Sequence, residues 1–255
     1  NSFWENSDMS AEGKPSKAEM NILQSVESIL PDNVIDSEVA QVSLSSTKQL
    51  DRKNLRMASK LLDEAGWEVS SDGLRKNSNG ETLDVEILND SQAFTRIIEP
   101  FIQNLISLGV NAKHTKIDNA QMTERERSFD FDIVTGNFPM SFTPGSGLKQ
   151  YFGSETADVS IFNKAGIKSD VIDELIEVVM SAKTRQELKI SVRALDRVLR
   201  SYYFWIPQWY KNVHTVAYYD FYEHPENLPP YDMGLLDFWW MNEKKFSDLK
   251  EKGAF

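Results

Sequence analysis

Residues 82–117 read strand, helix, strand, and that order restricts the chain to the α/β class. Leu83, Val85 and Ile87 alternate as the inward face of a half-buried strand. Phe94, Ile97, Ile98, Phe101, Ile102, Leu105 and Leu108 then recur at helical spacing as a wide apolar stripe, with Pro100 placed to kink the helix and Gly109 to end it. A second strand follows over 110–117. Strands joined through a helix are expected to pair in parallel with a right-handed crossover. A short polar helix over 119–127 then leads into Phe129-Asp-Phe-Asp-Ile-Val, a third strand.

The flanks of this unit are also patterned. The first 50 residues are polar and Ser-rich, with Gly13, Pro15 and Pro31 as breakers around a short amphipathic stretch at 20–30, and they read as a connecting region. Leu55, Ala58, Leu61, Leu62 and Ala65 mark a helix that Gly66 stops, and Asp72-Gly73 signals a hairpin. Ile172, Leu175, Ile176 and Val179 mark another helix. Thr184 and Glu187 form a capping box for the next, whose buried face is Leu188, Val192, Leu195 and Leu199. Beyond it, 14 of the 28 aromatic residues fall within 202–240, where segments around Ile206 and 213–219 look strand-like between turn residues at 224–227 and Pro229-Pro230.

Charge and residue types exclude several functions. With 28 Lys and Arg against 39 Asp and Glu, the net charge of −11 argues against a nucleic-acid or anionic-membrane partner. No cysteine is present, so disulfides and thiolate chemistry are excluded. His114, His214 and His224 lack metal-ligand spacing, so no metal site and no cofactor are expected. No apolar run approaches the length of a membrane span, so no membrane insertion is expected. The chain starts Asn-Ser-Phe-Trp, without Met or a signal-peptide pattern, and is expected to be processed or incomplete.

Two regions could bind a ligand. Residues 137–147 hold Pro139, Pro144, Gly145 and Gly147 and therefore form a loop leaving the third strand, where ligands of open α/β sheets bind. Phe138, Met140 and Phe142 are apolar residues that a merely solvated loop does not need. The aromatic run is the other region, since Trp and Tyr stack on apolar groups and hydrogen-bond polar ones; buried strand core is its competing reading. Asp130 and Asp132, two apart on a strand, would share a face and could serve as paired acids of a peptide- or glycan-acting hydrolase; the solvated face of an amphipathic strand is the favoured reading, since no residue that would tune them is identifiable beside them. Gly145-Ser-Gly147 is too short for a phosphate loop, and no nucleophile elbow occurs.

A series of motifs carries a resemblance. Asn-Ser-Phe-Trp-Glu-Asn-Ser, Leu-Leu-Asp-Glu-Ala-Gly-Trp, Arg-Ile-Ile-Glu-Pro-Phe-Ile-Gln-Asn-Leu, Phe-Asp-Phe-Asp-Ile-Val, Gln-Tyr-Phe-Gly-Ser, Arg-Ala-Leu-Asp-Arg-Val-Leu-Arg and Ile-Pro-Gln-Trp-Tyr occur in this order. Together they resemble the C-terminal part of a family 5 extracellular solute-binding protein, in particular the oligopeptide and microcin C binding subunits of ABC importers. The resemblance runs from Asn1 to Trp240 and implies that the N-terminal part, with its signal peptide, lies outside this stretch.

The implied fold is a type II periplasmic-binding-protein lobe, α/β with a mixed sheet and flanking helices, plus a return segment of the other lobe. Residues 1–50 would connect within the second lobe, 51–201 form its ligand-binding body, 202–240 return to the first lobe, and 241–255 form a tail. The implied protein is not an enzyme but a periplasmic receptor of a Gram-negative bacterium, expected to act as a monomer. It would close on a peptide-like ligand and deliver it to a membrane permease driven by a separate ATPase. Ligand contacts are expected from Asn137, Phe138, Met140, Ser141 and Phe142 on the loop, and from Trp209, Tyr210 and His214 on the return segment. Peptide binders of the family carry an aspartate on this loop for the ligand's free amino end, whereas 138–142 has no acid. A buried ammonium needs an ionic partner. The ligand is therefore expected to have a modified amino end, as in a formylated or peptide-nucleotide antibiotic or a cell-wall peptide, or to be held by a residue outside this stretch.

Overall fold

The computed structural model describes residues 2–32, 34–45, 50–211, 213, 215–229 and 233–254. They form two compact units, 1–207 and 208–255.

In the first unit the elements are α1 (Lys17–Ser25), α2 (Arg52–Glu64), β1 (Glu68–Val69), β2 (Arg75–Lys76), β3 (Asp84–Asn89), α3 (Gln92–Ser107), β4 (Asn111–Lys116), α4 (Asn119–Arg127), β5 (Ile133–Val134), α5 (Gly147–Phe152), α6 (Asp170–Ser181) and α7 (Arg185–Ser201). β3 sits between β4 and β5, parallel to both, with Asp84 opposite Asn111 and Leu88 opposite Val134. This is the α/β unit that the alternation at 82–117 predicts. The expected third strand is shorter than its motif, because Phe129 adopts φ 53° and only Ile133 and Val134 pair. Antiparallel pairing occurs separately, between β1 and β2 across the Asp72-Gly73 turn.

Local chemistry sets the helix ends. α2 and α3 both close in Schellman motifs: Trp67 N–H donates to Leu62 and Gly66 N–H to Asp63, while Val110 donates to Leu105 and Gly109 to Ile106. Gly66 and Gly109 have φ of 84° and 85°. At Gly109 a Cβ would also lie 2.8 Å from the Gly73 carbonyl oxygen, so glycine is required twice over. α3 runs through Pro100. Both halves of the Thr184–Glu187 capping box form at the start of α7.

The largest core lies between α6, α7 and the chain's first stretch. Leu175, Ile176, Val192, Leu195 and Phe152 are buried there beside Trp4, Met9, Leu23, Val26 and Val34. The Ser-rich segment expected to connect thus supplies core. α7 ties it down with charge as well: Asp196, wholly buried, accepts from Phe3 N (3.1 Å), Ala11 N (3.0 Å) and Arg200 Nη1 (3.4 Å). Burial pushes the Asp196 carboxyl up, and the Ala11 N–H and Arg200 oppose it. Arg200 donates onward to Ala11 O and Ala40 O, and Arg197 pairs with the buried Glu19 at 3.1 Å. A smaller core of Ile87, Ile98 and Ile102 fills the space between the sheet and α3.

Glu86 on β3 fastens the sheet to α4. Its carboxylate accepts from Arg125 Nη2 and Thr115 Oγ1, each at 2.6 Å, and pairs with Lys113 at 3.1 Å. Hydrogen bonds from Arg125, then Thr115, hold it down at about 2. Because the folded-state value lies below the ordinary one, this stability is fully present above the unfolded carboxyl's range and is lost as pH falls toward about 2. Glu86→Gln is therefore expected to flatten the fall of the urea midpoint between about pH 4.5 and 2. An unchanged acid limb would show that other carboxylates carry it.

In the second unit, β6 (Tyr222–Glu223) pairs antiparallel with β7 (Trp240–Met241), and α8 (Glu243–Glu251) follows within the expected tail. Phe221 is buried against Tyr219, Tyr222 and Phe246. Among the described residues no strand forms at Ile206 or within 213–219.

Candidate functional site

β3 and β5 run side by side in the same direction, so their carboxyl ends open on one edge of the sheet, where the first residues after each strand meet. Asn89, the last residue of β3, is wholly buried. Its amide donates to Ser91 O (2.8 Å), accepts from Ser91 N (3.0 Å) and lies 3.5 Å from Thr135 Oγ1. These bonds turn the chain into α3 and tie it to the stretch after β5. An open pocket of about 470 Å³ lies at this edge. Asp90 and Phe94 line it from the β3–α3 turn, and residues 135–139 line it from the loop after β5. Tyr151 of α5, Phe162 and Ile161 add apolar wall, and Glu126 and Lys164 complete it as an ion pair.

The loop is held from beneath. Phe138 is half-buried, with its ring 4.5 Å edge-on from Trp205, 5.8 Å stacked on Phe152 and 5.4 Å edge-on from Phe3. Met140 and Phe142 are half-buried against the same core. The Ser141 carbonyl accepts from Trp4 Nε1 at 3.2 Å, and its hydroxyl accepts from Thr143 N at 3.0 Å. Arg185 donates to Phe142 O and pairs with Asp8 at 2.8 Å.

Of the expected contact residues, Asn137 and Phe138 therefore line the pocket. Met140 and Phe142 spend their apolar surface on the core below it, and Ser141 shapes the turn. Trp209 and Tyr210 are 61% and 54% exposed in the second unit. His214 lies outside the described residues. Asp90, Phe94, Tyr151 and Phe162 escape a reading that attends only to the loop after β5. The strand-end rule applied to β3 as well would have found Asp90 and Phe94.

The family model for bacterial extracellular solute-binding proteins, family 5 (middle), matches residues 27–159. The chain belongs to family 5 of the bacterial extracellular solute-binding proteins. Among relatives of this solute-binding protein, a probable peptide-binding protein YejA of Agrobacterium fabrum is 39% identical over 94% of this chain and 39% of its own length. An uncharacterized protein YejA of Escherichia coli is 33% identical over 98% of this chain and 41% of its own. The chain thus spans about two fifths of these relatives' length. The fold of the oligopeptide-binding protein AppA of Bacillus subtilis, solved with a nonapeptide, is similar at a TM-score of 0.56, with 15% identity over 88% of this chain and 45% of that one. That likeness identifies the type II periplasmic-binding-protein fold.

The arrangement of acids in this family 5 member does not suit hydrolysis. Asp132 precedes β5 and accepts from Glu86 N at 2.8 Å, and Asp130 pairs with Arg125 Nε at 2.9 Å. Both lie before the start of β5, at the opposite edge from the pocket, and the expected strand face that would unite them does not form. Their carboxylates cap local backbone and side-chain donors.

Proposed function

We propose that this chain is the ligand-holding part of an ABC importer's substrate-binding component. It captures peptides or peptide-like compounds, microcin C-type antibiotics and cell-wall peptides included, in the periplasm of a Gram-negative bacterium. It passes them intact to a membrane permease whose ATPase acts indirectly, and it carries out no chemistry on them. The observation that carries this reading is the aromatic-lined pocket at the carboxyl edge of the parallel sheet, with Asn137 and Phe138 in its lining and the loop braced by Phe152, Trp4 and Arg185. Rings supply contact area that tolerates many side chains, and an exposed amide such as Asn137 can bond a peptide backbone in either direction. Trp209 and Tyr210 offer further exposed rings suited to stacking. The probable peptide-binding relative of Agrobacterium fabrum and the fold agree with this reading.

Native mass spectrometry of the whole gene product, purified from its host's periplasm, tests it. A bound mass that fragments as a peptide is the expected result. Empty protein that cleaves added peptides would replace the importer with an enzyme.

A further inference from the structure

The pocket holds three acidic or basic side chains, and two of them satisfy each other: Lys164 donates its ammonium to Glu126. Asp90 is different. It is exposed at the pocket, and among the described residues no donor meets its carboxylate. Its place follows from the register: Leu88 lies opposite Val134, so two residues on Asp90 reaches the level of Gly136, against which the Lys164 side chain lies. The wall beyond is aromatic, with Phe94, Phe138, Tyr151 and Phe162. Ring faces attract cations, and a lone carboxylate in a partly enclosed apolar pocket favours them further. Two acids against one base leave the pocket with a net negative charge.

We propose that this pocket takes an ammonium group of the bound ligand, with Asp90 as its ionic partner. The proposal rests on the peptide-binding function above and names the end group which that site selects. The acid missing from 138–142 is then supplied from position 90, just past the end of the neighbouring strand. The ammonium can come from a peptide's amino terminus or from a lysine-like side chain; both present the same chemistry. Asp90 also stands one residue before the Ser91 N-cap of α3, where a negative charge steadies the helix whether or not a ligand binds. The test therefore has to read ligand preference and not stability.

Three probes titrated calorimetrically into the whole gene product separate these roles: an alanine tetrapeptide, its N-acetyl form, and an N-acetyl tetrapeptide carrying one lysine. At least one amine-bearing probe is expected to bind about 30-fold more tightly than the acetylated alanine peptide, and the tighter of the two identifies the source of the ammonium. Asp90→Asn is expected to reduce that preference to about threefold or less, while Asp90→Glu restores part of it and the acetylated alanine peptide binds all three proteins alike. A preference that survives Asp90→Asn, or a wild-type protein without preference, overturns the role of Asp90 and leaves peptide binding standing. Failure of all three probes to bind overturns the peptide-binding reading and this proposal together.

Discussion

Replacing Asp196 with alanine is expected to cost about 3–5 kcal/mol of stability, the loss typical when one member of a buried ion pair is removed. The carboxylate has no solvent exposure and accepts from Arg200 and from the backbone of Phe3 and Ala11. Its removal leaves the Phe3 and Ala11 amides without this acceptor and the buried Arg200 guanidinium with carbonyl partners but no counter-ion, and an orphaned charge costs more than the pair ever contributed. Urea denaturation measures the loss. Hydrogen exchange locates it, because the Phe3 and Ala11 amides should lose protection before those of α6. A loss under about 1 kcal/mol, with Phe3 and Ala11 still protected, would show that the apolar contacts of Trp4 and Met9 hold the first segment unaided.

Phe152→Ala is expected to destabilise by about 3–5 kcal/mol, and it reaches the site as well as the core. Phe152 is wholly buried, and its ring lies 5.3 Å from Phe3, 5.8 Å from Phe138 and 6.3 Å from Phe204. The cavity left behind removes the stacked support of Phe138, so ligand affinity should fall with stability. Phe152→Leu keeps most of the volume and is expected to cost less than about 1.5 kcal/mol. Comparing the two variants by thermal melts and by titration of a bound peptide separates packing from contact. If alanine weakened the fold but left affinity intact, Phe138 would owe its position to Trp205 and Phe3 instead.

The expectations that succeeded and those that needed correction differ in range. The Schellman ends at Gly66 and Gly109, the capping box at Thr184 and the apolar stripe of α3 are contests within a few consecutive residues, and their outcomes are readable there. The strand at 129–134 shrank to Ile133 and Val134 because Phe129 takes a left-handed backbone, which an Asp-Phe-Asp pattern does not announce. Met140 and Phe142 looked like ligand contacts because a solvated loop has no use for them. Helices α5 and α7 and the chain's start give them a core to pack against, which no local pattern reveals.

From the amino-acid order alone came the α/β class, the parallel unit and the family, because periodicity, caps and motifs are properties of neighbours along the chain. Tertiary structure decided that the Ser-rich start belongs to the core, since Asp196, Arg197 and Arg200 can bond it only after α7 lies across it. It also decided which residues share the pocket. Asp90 and Asn137 are 47 positions apart, and parallel pairing sets both at one edge because β3 and β5 end together. A pocket gathered across a sheet has no signature within either strand.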